Sequence, residues 1–277
     1  INSKFLTDNF TIQTWIKTNQ VGYNTAHYTT MYIMASECGG GAADWGMGVN
    51  STGKLAFGAG PNDATFATTD SVNTNAWVNV AASRDKTTGQ IKLYINGVLK
   101  TTGTGNSGNS LTCSADGKTW IGNGQDAPAY SFGGNISTVL AYTSVLSGAD
   151  VLANYNATVN TFYPPTYTIT YDANGATSGS APANGSFTSG GSATAVAANS
   201  GNLARSGFTF GGWNTDANGN GTPYAAGAST YSSNSDVTLY AVWTPIPTTT
   251  TTSTTTTTTA PAVTTTAPPA LQIVINN

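Results

Sequence analysis

Charged residues are scarce in this 277-residue sequence, in which only 8% of positions are Asp, Glu, Lys or Arg. This is about a third of the usual fraction, and Glu37 is the only glutamate. The nine Lys and Arg residues are spread along the chain, so they form no basic patch that could track phosphates. Residues of high helix propensity other than Ala are also few. These shortages argue against a nucleic-acid partner and against a helical cytosolic enzyme. The Gly, Ser, Thr and Asn that replace the charges are typical of extracellular all-β proteins.

Cysteine is almost as rare. Cys38 and Cys113 are too few for a disulfide framework. They would either form one bridge in an oxidising compartment or act as two small buried hydrophobic side chains, and the sequence leaves both readings open. No apolar run approaches the roughly 18 residues of a membrane span, so no membrane insertion of this fragment is expected. The chain begins with Ile1 and lacks a signal-peptide pattern. This predicts a fragment or processed product with further domains in the same polypeptide.

Residues 1–160 contain many short runs in which apolar and polar residues alternate, separated by clusters of Gly, Asn, Asp and Ser. The period-two pattern predicts strands with one buried face, and their number and spacing predict a β-sandwich or jelly roll. Asn96-Gly97, between two such runs, predicts a hairpin with a type I′ turn. One short helix is predicted over 147–157, with Ser147 as its N-cap.

Pro164 and Pro165 end this first domain, because paired prolines continue neither a helix nor a strand ladder. Residues 166–244 form a second β-rich unit with a small aromatic core. Residues 245–270 are a Thr/Pro-rich linker, whose composition predicts a disordered, extended stalk. Residues 271–277 are interpreted as the first strand of a further, truncated domain.

An ordered series of motifs runs through residues 5–157: "FTIQTWIK", "GKLAFG", "NAWVNVAASRDKTTGQIKLYINGVLK", "WIGN" and "FGGNISTVLAYTSVLSGADVLANYN". The series resembles the laminin-G-like, concanavalin A-like lectin family, and this implies a jelly-roll sandwich. Two features depart from the family pattern. The strand that normally precedes "FTIQTWIK" is missing or truncated, and Ser137-Thr138 replace the usual acidic pair.

Three motifs follow within residues 167–244: "YTITYDANGATSG", "ARSGFTFGGWNTDANGNGTPYAAGA" and "DVTLYAVW". They are similar to the Listeria–Bacteroides repeat, also called the InlB B-type repeat, of which one copy is present. The resemblance implies a small β-grasp-like module of surface-anchored bacterial proteins with no known catalytic role. Taken together, the two resemblances imply a secreted or cell-surface bacterial protein.

Patterns that support catalysis are lacking. Glycoside hydrolysis needs two carboxylates about 5–9.5 Å apart. The alternating acidic motif of concanavalin A-like hydrolases is absent from the sequence. A pair of aspartates from separate loops, such as Asp44 and Asp126, is the alternative source of two carboxylates. His27, the only histidine, has no G-x-S-x-G partner and no companions for a zinc site. Its Tyr/Thr-rich surroundings predict a position on a sheet surface. The sequence therefore predicts a protein that is not an enzyme.

Calcium is the one cofactor that the concanavalin A-like resemblance implies, held at one rim of the sandwich by carboxylates and backbone carbonyls. Asp44, Asp63 and Asp126 are the candidate ligands in the rim loops, with Asn123 beside them.

A second calcium candidate is "NTDANGNGTPY" (214–224), which contains the D-x-N-x-N-G pattern that opens an EF-hand loop. The twelfth position counted from Asp216 is Gly227, which has no carboxylate, and the flanks are strands rather than helices. Asn and Gly suit a chain reversal, and Asp216 suits an Asx turn. The stretch therefore predicts a hairpin turn, and any calcium is expected in the sandwich instead.

Sugar recognition needs aromatic surfaces, and Trp45 and Tyr130 lie in Gly-rich segments. The predicted ligand-binding residues are Trp45, Asn123 and Tyr130. The expected function is binding or adhesion at a bacterial surface, with a glycan or a cell-surface protein as partner. Two alternatives stay open: a structural spacer in a surface or virion fibre, and an accessory domain of a polysaccharide-active enzyme.

Overall fold

The computed structural model describes residues 6–36, 43–60, 64–111, 118–124 and 129–248. Cys38, Cys113, Asp63 and Asp126 lie outside the described residues, as do the predicted linker from residue 249 on and the segment 271–277. Backbone contacts divide the chain into two compact units, and the second begins at Tyr167. The short segment Thr188–Gly191 groups with the first unit.

The first unit consists of two five-stranded antiparallel sheets. One sheet has the order β10-β1-β6-β7-β8, and the other has the order β5-β4-β3-β2-β9. We call the first the helix-side sheet and the second the loop-side sheet. The strands are β1 (Phe10–Lys17), β2 (Met31–Ser36), β3 (Trp45–Val49), β4 (Lys54–Ala59), β5 (Thr65–Ser71), β6 (Trp77–Arg84), β7 (Gln90–Ile95), β8 (Val98–Thr104), β9 (Trp120–Ile121) and β10 (Asn135–Tyr142).

The hydrophobic core lies between the two sheets and follows the alternation of the strands. Phe10 and Ile12 of β1 are fully buried in it, as are Trp45, Met47 and Val49 of β3. Successive side chains of a strand point to opposite faces, so one face of each sheet is committed to the core. This arrangement confirms the predicted jelly-roll sandwich.

The predicted hairpin at Asn96-Gly97 joins β7 to β8, with Ile95 opposite Val98. Both turn residues have positive φ, 52° for Asn96 and 76° for Gly97. This is the requirement of a type I′ turn, and it explains why the Asn-Gly pair is a reliable signal in sequence.

Helix α1 (Gly148–Phe162) covers the outer face of the helix-side sheet. Trp15 of β1 stacks on Phe162, with ring centroids 4.2 Å apart, and its Nε1 donates to Thr158 Oγ1 at 2.9 Å. Gln13, the next outward residue of β1, donates through Nε2 to the carbonyl of Val151 at 3.0 Å. The outer face of this sheet is therefore occupied by the chain's own helix.

None of the helices in the described part of the chain has the length and hydrophobicity that a membrane-spanning helix needs.

The N-terminus of α1 forms a capping box. Asp150 N donates to Ser147 Oγ at 3.2 Å, and Ser147 N donates to Asp150 Oδ2 at 3.1 Å. We expect Ser147→Ala to lower the free energy of unfolding by about 1 kcal/mol, because the helix loses its N-cap acceptor. Denaturant unfolding followed by circular dichroism measures this. Exposed Ser144, which lies outside the cap, is the control: Ser144→Ala should change the stability by less than about 0.5 kcal/mol.

The second unit is built on a mixed sheet with the order β12-β11-β17-β14-β15 and a separate pair of β13 with β16. β11 and β17 pair in parallel, and β14 pairs antiparallel to β17. Fully buried Trp213 lies in the core, with its ring 4.8 Å from that of Tyr171. The strands are β11 (Thr166–Asp172), β12 (Gly185–Thr188), β13 (Thr194–Ala195), β14 (Phe208–Asn214), β15 (Pro223–Tyr224), β16 (Thr230–Tyr231) and β17 (Val237–Pro245).

The stretch 214–224 forms the hairpin between β14 and β15, as predicted. Asp216 Oδ1 accepts from the backbone N–H of Asn218 at 2.8 Å and of Asn220 at 3.4 Å. These are the local bonds of an Asx turn. The carboxylate of Asp216 therefore organises its own loop.

Candidate functional site

Three glycines lie on the outer face of the loop-side sheet, Gly46 and Gly48 of β3 and Gly58 of β4, and we call them the glycine floor. On β3 the buried residues Trp45, Met47 and Val49 alternate with Gly46 and Gly48, which therefore face outward. Gly58 of β4 lies opposite Gly46 in the register. A floor without side chains allows another segment of the chain to approach the sheet backbone closely.

Residues 22–30, which we call the covering loop, lie on this floor. A Cβ atom at Gly58 would overlap the ring of His27, and one at Gly48 would overlap Thr30 Oγ1. The covering loop is anchored at its start by Gly22 N, which donates to the carbonyl of Asn50 at 3.2 Å. It closes on itself through Tyr23 N, which donates to the carbonyl of Thr29 at 3.1 Å.

His27 is fully buried beneath this loop, at the start of a 3-10 helix formed by His27–Thr29. Its backbone N–H donates to Thr65 Oγ1 at 2.9 Å, and its ring Nδ1 lies 3.1 Å from the same hydroxyl. The prediction of a sheet-surface histidine is therefore wrong. The residue lies over a sheet face, but the glycines beneath it allow its ring to contact the sheet backbone, where the covering loop buries it. Local composition does not reveal such a contact.

Four aromatic rings cross this face, and we call them the aromatic row: Tyr28, His27, Tyr32 and Tyr130. The ring centroids of Tyr28 and His27 are 5.5 Å apart, and those of Tyr32 and Tyr130 are 6.1 Å apart. Gly46 lies between the two pairs: a Cβ atom there would be 2.9 Å from Tyr32 Cε1 and 3.5 Å from His27 Cδ2. The row is buried in its middle and reaches solvent at its ends.

Solvent-exposed tyrosines lie at the covering-loop end of the row. The exposed fraction of Tyr23 is 80% and that of Tyr28 is 44%, whereas Tyr32 is 1% exposed. A tyrosine ring offers an apolar face and a polar hydroxyl, which suits ligands that are apolar on one side and hydroxylated at the edge. Sequence reasoning missed all three residues. The available signal was "GYNTAHYTTMY", an aromatic-rich stretch whose first part lacks strand periodicity.

Two of the predicted ligand-binding residues lie together at the other end of the row. The carbonyl of Tyr130 accepts from Tyr32 N at 2.9 Å, which fixes its loop against β2. Asn123 Oδ1 accepts from Gly124 N at 2.8 Å and from Ser131 Oγ at 3.2 Å. Asn123 and Tyr130 are both partly exposed. Whether they contact a ligand stays a prediction.

Trp45, the third predicted ligand-binding residue, is fully buried, and its ring centroid is 5.3 Å from that of Phe10. It cannot serve as a surface platform for a sugar, so this part of the prediction is wrong. The preceding Gly-rich run suggested a loop, but Trp45 is in phase with Met47 and Val49 and belongs to the inward face of β3.

Of the three predicted calcium ligands, the structure describes only Asp44. Asp44 is 3% exposed and directly precedes β3, so it does not lie on an open rim loop; its carbonyl accepts from Gly60 N at 2.9 Å. Asp63 and Asp126 lie outside the described residues. Within the described ranges, no group of three or more His, Cys, Asp or Glu side chains could hold a metal ion. A calcium site formed by all three aspartates stays a prediction.

A polar cleft of about 560 Å³ opens at the end of the helix-side sheet where β1 begins. It includes Asp8, Asn9, Lys86 and Thr87. Lys86 Nζ donates to Asp8 Oδ1 at 3.1 Å and to Ser110 Oγ at 2.8 Å. Hydrogen bonds from Ser110 and Lys86 lower the pKa of Asp8 below its usual value. Its two charges satisfy each other, and none of the described residues that line it is aromatic, so the cleft is a weaker candidate than the aromatic row.

The two packed five-stranded antiparallel sheets define a protein of the concanavalin A-like fold class. The chain belongs to the concanavalin A-like lectin/glucanases superfamily, whose family model matches residues 2–152, more than half of its length. Residues 167–242 match the Listeria-Bacteroides repeat domain. Both predicted resemblances are therefore confirmed, in the predicted order. No protein of curated function matches the chain significantly.

Several solved structures are similar to this chain at low sequence identity. The CBM40 domain of the Ruminococcus gnavus IT-sialidase, bound to alpha2,3 sialyllactose, is 20% identical; the match covers 55% of this chain and 84% of that one, with a TM-score of 0.45. The heptameric SAP-like pentraxin of Limulus polyphemus is 20% identical over 53% and 69%, with a TM-score of 0.40. Domain 4 of AbnA, a GH43 extracellular arabinanase of Geobacillus stearothermophilus, in complex with arabinotriose, is 21% identical over 53% and 66%, at 0.39. At these TM-scores no ligand or site is carried over to this chain.

Proposed function

We propose that the first unit is a non-catalytic module that binds a neutral glycan on the outer face of its loop-side sheet. The observation that carries the proposal is the aromatic row, whose exposed end Tyr28 lies with exposed Tyr23 on the covering loop, which packs against the glycine floor. Neighbouring exposed aromatic side chains that continue into a row of rings are typical of binding surfaces, whereas a single exposed ring is not.

The polar groups around the rings suit hydroxyls rather than charges. Asn24 and Thr25 stand between the two exposed tyrosines in sequence. Ser131 directly follows Tyr130 and donates a hydrogen bond to Asn123. Residues 18–30 contain no Asp, Glu, Lys or Arg. Amides and hydroxyls both donate and accept hydrogen bonds, as sugar hydroxyls do, so they match a neutral glycan better than an ionic ligand.

The setting of this module is proposed to be the outside of a bacterial cell, where it acts in adhesion to a glycan or to a glycosylated surface protein. The charge-poor composition and the adjoining Listeria-Bacteroides repeat support this setting. Calcium bound by Asp44, Asp63 and Asp126 is part of the proposal, with the aromatic row as the sugar-contacting surface.

A glycan array probed with the whole chain tests the function. We expect the chain to bind a set of neutral oligosaccharides. If bound calcium supports the site, removal of the ion with EGTA should weaken this binding. The Tyr28→Ala variant should bind the same oligosaccharides more weakly. If neither the array nor bacterial cell-wall polysaccharide retains the chain, with or without calcium, the protein acts as a structural spacer and the proposal fails. Release of reducing ends from a bound polysaccharide would contradict the non-catalytic assignment.

A further inference from the structure

The second unit contains a small cavity of about 130 Å³, which we call the Arg205 pocket. It lies where the chain leaving β11, the turn between β14 and β15, and the last part of β17 come together. Its polar and aromatic lining is formed by Asn174, Arg205, Asn218 and Trp243. The volume equals that of about four water molecules, which is enough for a carboxylate group and the few carbon atoms that carry it.

Arg205 is the only Lys or Arg between residues 167 and 248. Its guanidinium carbon is 4.4 Å from the ring centroid of Phe208, so the planar group is stacked against an aromatic ring. Among the described residues, Arg205 makes no side-chain hydrogen bond and no ion pair, although a guanidinium carries five N–H donors. A stacked and partly buried cation with unused donors is suited to a planar anion.

The carboxylates near the pocket are engaged elsewhere. Asp172 Oδ1 accepts from Asn174 N at 2.7 Å, and Asp216 Oδ1 accepts from Asn218 N at 2.8 Å. Each of them therefore organises its own turn. Since the unit has three Asp and one Arg over residues 167–248, long-range attraction of an anion is absent. Binding has to come from ion pairing and hydrogen bonds inside the pocket. Salt screens these short-range interactions less than it screens attraction between exposed charges.

The walls of the pocket are held together by Asn174. Its Nδ2 donates to the carbonyl of Ala217 at 2.8 Å and to that of Ala241 at 2.9 Å, so the turn and β17 are tied to the end of β11. The carbonyl of Asn174 accepts from Trp243 Nε1 at 2.9 Å, which fixes the aromatic wall. The pocket is thus formed before a ligand arrives, and this lowers the entropy cost of binding.

We propose that the Arg205 pocket binds a carboxylate group, with the guanidinium of Arg205 pairing with both oxygens and the side-chain amide of Asn218 donating to one of them. Two sources supply this chemistry outside a bacterium: the uronic acid units of acidic polysaccharides and the C-terminus of a peptide. The second unit would then be a ligand-binding module in its own right, independent of the glycan face of the first.

Titration of the ¹⁵N-labelled whole chain tests this site. The probes are trigalacturonic acid and an acetylated tripeptide with a free C-terminus, each compared with its uncharged methyl ester or amide, and inorganic phosphate. We expect a carboxylate probe to shift the Trp243 indole N–H and the Arg205 Nε–H, with a dissociation constant of about 1 mM. The acid that binds more tightly identifies the source. The uncharged counterparts should leave both resonances in place.

Variants separate the site from general charge effects. Arg205→Met should weaken binding at least about tenfold. Arg205→Lys should weaken it less, because the ammonium group keeps the positive charge although it cannot pair bidentately. Asn218→Ala, in the exposed turn, should cost about threefold and leaves the fold intact. Ser232→Asp makes the same change in net charge ahead of the start of β17, away from the pocket, and should bind like the wild type.

The Trp213 indole resonance reports whether each variant is folded. Three results would overturn the proposal: no shift with either acid, equal shifts with the uncharged counterparts, or full binding by folded Arg205→Met. Tighter binding of phosphate than of either acid would overturn the assignment to a carboxylate.

Discussion

Gly58→Ala is expected to destabilise the first unit by about 3 kcal/mol and to release the covering loop from the sheet. The added Cβ atom would occupy the position of the His27 ring, and the ring cannot turn aside because it is fully buried between the loop and the glycine floor. A loss of this size lowers the melting temperature by roughly 6–12 °C. Calorimetry measures the transition, and hydrogen exchange at the amides of Tyr23 and Thr30 shows whether the covering loop has opened.

Gly148→Ala is the matched control for this experiment. Gly148 begins α1, and the nearest atom to an added Cβ there would be Tyr94 Cε1 at 3.9 Å, an ordinary contact. The control should be at least as stable as the wild type, because Ala favours a helix over Gly. If Gly58→Ala is also as stable as the wild type and the amide of Tyr23 stays protected, the covering loop is not held by the glycine floor.

Removal of the exposed rings is expected to have the largest effect on ligand binding. Tyr28→Ala should lower the affinity for the glycan about tenfold, equal to about 1.4 kcal/mol, because the ring supplies the apolar surface on which a sugar ring packs. Tyr23→Ala combined with it should lower the affinity about a hundredfold if the two contacts are independent. Isothermal calorimetry with the best ligand of the glycan array gives both values.

Two further variants distinguish ring packing from loss of structure. Tyr28→Phe keeps the ring and should bind within about threefold of the wild type, since only one hydroxyl hydrogen bond is removed. Tyr163→Ala removes another exposed tyrosine, 47% exposed at the end of α1, and should leave the affinity unchanged. Equal losses for Tyr28→Ala and Tyr163→Ala would place the sugar away from the aromatic row.

The sequence predicted the features that depend on local chemistry. The turn at Asn96-Gly97 follows from the need for positive φ, the helix start at Ser147 follows from capping, and the hairpin after Trp213 follows from Asx-turn residues. Strand alternation and the ordered motifs predicted the sandwich. Each of these signals lies within a few residues or within a known series.

The site could not be predicted in the same way, because it depends on contacts between distant segments. His27 meets Gly58 only after residues 22–30 fold back over the sheet, and no periodicity encodes that return. The Gly-rich run before Trp45 favours an exposed, ligand-binding position, but the phase of Trp45 with Met47 places it in the core. The strongest unused signal was the outward glycine at alternate positions of "WGMGV", which indicates close approach of another segment.

The central claim is that a glycan lies on the aromatic row, and intermolecular nuclear Overhauser effects test it most directly. The whole chain would be saturated with the best array ligand, and contacts between sugar C–H protons and protein ring protons would be recorded. We expect contacts to the rings of Tyr28 and Tyr23, and to that of Tyr130 for a ligand long enough to cross the face. Contacts confined to the polar cleft near Asp8 and Lys86, with none to these tyrosines, would contradict the proposed site.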